Sequence, residues 1–87
     1  MKKYIIEYNG KKFQLSTTIL KNYCSIIEIM IFPIEDGIVS GSEIFCHRTL
    51  NPTLAAFCCA DIRNNPEKFL NEEAIQKYKN QKEKMFE

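Results

Sequence analysis

Tyr4-Ile5-Ile6-Glu7-Tyr8-Asn9-Gly10-Lys11-Lys12-Phe13-Gln14-Leu15 is the stretch that decides the fold. Two alternating apolar runs flank Asn9-Gly10, and both central positions of a type I′ turn need positive φ, which Asn and Gly supply. A two-residue turn fixes the register, so Glu7 faces Lys12, Ile6 faces Phe13 and Tyr4 faces Leu15. One face of this hairpin is Tyr4, Ile6, Phe13 and Leu15, and the other carries Ile5, Glu7, Lys12 and Gln14. Turn chemistry and binary pattern agree, which is strong evidence for a hairpin.

Downstream, Ser16 to Asn22 is polar apart from Ile19-Leu20 and reads as a connection or a single helical turn. A long strand is expected from about Tyr23 to Phe32. Its two faces, Ile27, Ile29 and Ile31 against Ile26, Met30 and Phe32, are both apolar, which places it inside a sheet. Asp36-Gly37 marks the next turn, and residues 38–48 return antiparallel with a bulge or wider loop at Gly41.

The period then changes. Asn51-Pro52 starts a helix, with Asn as cap and Pro at the first helical position. Its apolar stripe is Leu54, Ala55, Cys58 and Ile62, with Phe57 and Cys59 at the margins. Thr53, Ala56 and Ala60 form a small-residue back face that either the last helix or a partner covers. Asn64-Asn65-Pro66 ends this helix. A last helix runs from about Glu72 to Lys84, capped by Asn71, with acidic residues first and lysines last to match the macrodipole. Its stripe of Ala74, Ile75, Tyr78 and Met85 is thin. The fold expected is α+β: one domain over residues 1–87, an antiparallel meander of about four strands followed by two C-terminal helices, ββββαα.

Chain length makes this a small domain, in which only roughly 60–65% of the unfolded chain's surface can be buried. The 87 residues are 45% hydrophobic and 26% charged, the composition of a globular chain. Net charge is +1 but uneven: five lysines oppose Glu7 in residues 1–21, whereas residues 22–76 hold three basic and eight acidic residues. That distribution reads as two solvated, lysine-rich ends or as a dipole meeting a basic partner. Glu7 interrupts the apolar run after Met1-Lys2-Lys3, so no export signal is expected, and the longest apolar stretch, Ile29 to Ile34, is too short to span a bilayer. A cytoplasmic protein follows, with Cys24, Cys46, Cys58 and Cys59 expected as free thiols and not as two disulfides.

No residue pattern points to catalysis. His47 is the single histidine, and its neighbour Cys46 would point to the other face of a strand. Cys46-His47 and Cys58-Cys59 are adjacent pairs, a spacing that does not chelate readily, so no metal and no cofactor are expected. Glu28 lies among isoleucines, either as an acid raised in a cleft or reaching solvent or a lysine. The chain has no phosphate-cradling glycine motif. Nucleic-acid binding would rest on the lysines of the first hairpin with Tyr4, Tyr8 and Phe13 as stacking groups, although Tyr4 and Phe13 fall on the core side. The basic side of the last helix, with Lys77, Tyr78 and Lys82, is the expected protein-binding surface.

Glu28-Ile29-Met30-Ile31-Phe32-Pro33, the acidic glycine turn, Arg48 and the helix with Ala55-Ala56 resemble small uncharacterised phage and prophage proteins of Gram-positive bacteria. Those carry a Glu-Thr-Met-Val-Phe-Pro strand, a turn, and an Arg-Tyr segment leading into an alanine-rich helix that often contains Gly-His. Residues 28–60 carry the resemblance. Ile29 stands at the threonine, Pro52-Thr53-Leu54 at the acidic first turn and Cys58-Cys59 at the Gly-His, so no histidine role transfers. The resemblance implies a small phage-type accessory protein that binds a protein partner, a host enzyme or defence complex, as anti-CRISPR-like inhibitors do. The alternative is a small nucleic-acid-binding accessory protein; no enzyme is expected.

Overall fold

Two dipeptides set the sheet. A computed structural model describes residues 2–21 and 25–84, and in it Asn9 and Gly10 have φ of 54° and 75° and Asp36 and Gly37 φ of 52° and 75°. Both turns therefore have positive φ at both central positions, the condition for matching the right-handed strand twist. The first joins β1 (Lys2–Tyr8) to β2 (Lys11–Lys21), in the register Tyr4↔Leu15, Ile6↔Phe13 and Glu7↔Lys12. The second joins β3 (Ser25–Glu35) to a short β4 (Ile38–Val39). β5 (Phe45–Thr49) pairs with the first half of β3, so β3 is central and β1 lies at an edge.

Two strand expectations need correction. Ser16 to Lys21 is strand, not connection: Thr17 opposes Ile29 and Ile19 opposes Ile27. The β-branched Thr17, Thr18 and Ile19 fit a pleated surface, and long-range pairing overrides their polar appearance. β3 continues through Pro33 to Glu35. In this register the odd residues of β3 bond toward β4 and β5, so the missing N–H of Pro33 falls at the break between those two strands, where its carbonyl still accepts from Ser40 at 2.8 Å. The return over 38–48 has the wider loop expected at Gly41, which separates β4 from β5. Residues 22–24, including Tyr23 and Cys24, lie outside the described residues.

Helix α1 (Pro52–Asn64) starts as expected: the Asn51 side chain accepts from the N–H of Thr53 at 2.9 Å and of Leu54 at 3.3 Å. A single-turn helix α2 (Glu67–Leu70), not anticipated, precedes α3 (Glu72–Lys84), where Asn71 accepts from the Ala74 N–H at 2.7 Å. Phe69 of α2 meets Phe45 edge to face at 5.4 Å, and Leu70 is buried. The architecture is α+β, an antiparallel meander followed by helices.

Ile6, Phe13, Leu15, Ile29 and Ile31 of the sheet form one core cluster with Ile44, Ala55, Ile62 and Leu70. Leu15, Ile29, Ile31 and Ile62 are fully enclosed, each contributing roughly 1.5–3 kcal/mol by burial. Leu54 departs from the expected stripe and is 55% exposed. Helix α1 is turned so that Ala55, small enough for close approach, meets the sheet instead. Among the described residues no helix is long and apolar enough to cross a membrane.

Candidate functional site

Helix α1 packs over β3 and β5 and leaves part of the inner sheet face uncovered. The result is a groove of about 410 Å³, inside the 300–1,000 Å³ range usual for ligand sites. Tyr4 of β1, Thr17 and Ile19 of β2 and Ile27 of β3 form its floor, while Pro52, Ala56, Cys59 and Ala60 of α1 form its wall. The wall exists because positions 52, 56, 59, 60 and 63 fall on one flank of a 3.6-residue helix. Cys59 Sγ and Thr17 Oγ1, 3.5 Å apart, share a hydrogen bond that joins wall to floor. The small-residue back face read from the sequence is thus real in part: Ala56 and Ala60 are exposed, and α3 does not cover them.

Charge in the groove has one sign. Lys2 and Arg63 line it, and among the described residues no acidic one does. The Arg63 guanidinium sits 4.3 Å from the centre of the Tyr4 ring, a cation–π contact that holds the cation at the rim without neutralising it. The site therefore offers apolar floor and wall with two cations, complementary in polarity and charge to an apolar group bearing an anion. Leu50, Leu54 and Phe57 add exposed apolar surface outside the groove.

The three residues expected to bind a partner do not form one open surface. Tyr78 and Lys82, one helical turn apart, both turn toward the loop before β5. The Tyr78 hydroxyl donates to Glu43 Oε1 at 3.1 Å, and the Lys82 ammonium donates to the same oxygen. Burial raises the Glu43 carboxyl, but hydrogen bonds from Lys82, its own backbone N–H and Tyr78 outweigh it and bring it below its ordinary value. Burial, then the bond to Glu43, push the Tyr78 phenol upward. Lys77 is exposed and, with Glu73 and Lys84, lines a shallow polar depression on α3. Glu43 was not visible as a site residue in the sequence: its partners are 35 and 39 residues away, and no local pattern joins them. Met85 lies outside the described residues.

Glu28 is only 13% exposed and pairs with an arginine, not a lysine. It opposes Arg48 across β3 and β5, and the Arg48 Nε–H donates to Glu28 Oε2 at 2.7 Å. His47 is exposed on β5. Cys46, Cys58 and Cys59 are free thiols, and burial raises both the Cys46 and Cys58 thiols above their ordinary value. Among the described residues no group of His, Cys, Asp and Glu is placed to hold a metal ion. For nucleic acid, Lys2, Lys3, Lys11 and Lys12 are exposed, but Phe13 is buried and Tyr4 lies against Arg63, so neither ring is a free stacking platform.

No protein-family model, curated protein or solved structure matches this chain.

Proposed function

We propose that this chain works by binding a protein partner, and that the partner places an apolar segment bearing Asp or Glu in the groove between α1 and the β1–β2 half of the sheet. The observation that carries this reading is the groove itself, an apolar concavity lined by Lys2 and Arg63 and, among the described residues, by no acid. A small domain has few apolar residues to spare for its surface, and a concave apolar patch with convergent polar groups is the default binding site of such a fold. An inhibitor of a host defence complex, the role that the phage-protein resemblance implies, would act through such occupancy. No chemical step is assigned to the chain.

A photo-crosslinking residue at Ala60, in the groove wall, is expected to capture a protein from lysate of the native cells, and the adduct should survive nuclease. The same residue at Lys79, on exposed α3, should capture none. Ala56→Trp fills the groove from an exposed position, so stability should change by no more than about 0.5 kcal/mol, while capture at Ala60 should fall at least tenfold. Capture from Lys79 but not from Ala60, or capture that nuclease abolishes, would overturn the proposal; the latter would favour a nucleic-acid-binding role.

A further inference from the structure

We infer that the free edge of β1 is a self-recognition surface, and that two copies of this chain join there antiparallel to make one continuous sheet. Edge strands expose unpaired backbone groups, and natural proteins usually blunt them with a proline, a bulge or charged side chains. β1 has no proline and no bulge, and the two charges on its outward-bonding residues, Lys3 and Glu7, are of opposite sign. It is paired residue for residue with β2 over Lys2 to Tyr8, without proline or bulge, and among the described residues nothing pairs with its outer edge. Ile5, at its midpoint, is 61% exposed.

The turn settles which backbone groups face outward. In a two-residue hairpin the closing pair, Tyr8 and Lys11, is hydrogen-bonded, and bonded pairs alternate from there. Tyr8, Ile6, Tyr4 and Lys2 therefore bond to β2, and Glu7, Ile5 and Lys3 direct their N–H and C=O groups outward. A two-fold axis through Ile5 pairs Ile5 with Ile5 of the second copy and Lys3 with Glu7, twice. All the outward groups are satisfied by that single register.

Other registers do worse. An axis at Ile6 sets Ile5 against Glu7 and carries Lys3 past the end of the strand, opposite the Asn9 turn. An axis at Tyr4 sets Lys3 against Ile5 and leaves Glu7 beyond the partner strand. Parallel pairing brings Lys3 near Lys3. Only the axis at Ile5 makes the charges complementary, and opposite charges facing across strands stabilise while like charges oppose pairing. The side chains of Lys3, Ile5 and Glu7 share the sheet face opposite the core, so the exposed Ile5 is covered by its own counterpart. On the inner face Tyr4 meets Ile6 and Lys2 meets Tyr8 of the second copy, which brings the two groove rims to either side of the axis.

Sedimentation equilibrium tests this through charge exchange. The wild-type chain is expected to dimerise. Glu7→Lys turns both attractive pairs repulsive and should weaken association by about tenfold or more. Adding Lys3→Glu to Glu7→Lys should restore the dimer, although both variants share the same altered contact with Lys12 of β2. A mixture of the single variants Lys3→Glu and Glu7→Lys should form a heterodimer, while each alone stays monomeric. Ile5→Lys, at an exposed position, gives a second disruption independent of the charge pairs. A wild-type chain that is monomeric across its soluble concentration range would overturn the inference. So would a dimer that Glu7→Lys and Ile5→Lys leave intact, or a double exchange that fails to restore association in a folded chain.

Discussion

Ile62→Ala is expected to cost about 3–4 kcal/mol, a large share of the total stability of a domain this size. Ile62 has no exposed surface and carries the centre of α1 into the cluster of Leu15, Ile29 and Ile31. Removing three carbons there leaves a cavity that a sheet bonded on both sides of β3 cannot close. Leu54→Ala, eight residues earlier on the same helix, should change stability by no more than about 0.5 kcal/mol, because Leu54 is 55% exposed. Urea unfolding of both variants checks the pair. Equal losses would mean that α1 sits with Leu54 inward, which would also close the groove wall.

Glu43→Ala should release α3 without unfolding the sheet. Glu43 is the one acceptor that holds both Tyr78 and Lys82, and its carboxylate side chain is only 14% exposed. Lys82 remains 42% exposed, so solvent screens that ion pair, and the expected loss is about 1–2 kcal/mol. Hydrogen exchange should accelerate through residues 74–84 and leave the β2–β3 pairing protected. Lys79→Ala, exposed on α3, should change neither. The same contact sets a pH window. The Glu43 carboxyl is lowered in the fold, so its contribution is present above the ordinary value of 4.5 and is lost as pH falls through the lower folded value. The Tyr78 phenol is raised, so its contribution is present below the ordinary value of 10.0 and is lost as pH rises through the higher folded value. Exchange in α3 should therefore quicken at both extremes in the native chain, and the acid limb should vanish in Glu43→Ala.

The first hairpin was legible residue by residue because Asn9-Gly10 is a local signal and its turn length fixes the register. The two faces of β3 and the caps Asn51 and Asn71 were legible for the same reason: each rests on neighbours in sequence. Ser16 to Lys21 was misread because its strand character comes from β3, across a long-range pairing that leaves Ser16 7% exposed. That error also hid the groove. Ala56 and Ala60 were visible as a small-residue face, but the opposing floor is built from Thr17 and Ile19, which only a strand could place there. The rotation of α1 was ambiguous because Leu54, Ala55, Cys58, Cys59 and Ile62 make a broad apolar arc, and a wheel cannot choose its centre. The Glu43 contact left no trace in the sequence, since an acid in a loop and a tyrosine on a distant helix share no pattern. Lys77, Tyr78 and Lys82 looked like one basic face; the fold turns two of them inward on that acid.

The most direct test of the groove as the partner-binding surface is amide and methyl chemical-shift mapping of the labelled chain as the protein captured at Ala60 is added. Shifts are expected to concentrate on Thr17, Ile19, Ile27, Ala56, Cys59 and Arg63, with Lys77 and Lys79 unmoved. Shifts centred on α3, with the groove residues unchanged, would contradict it.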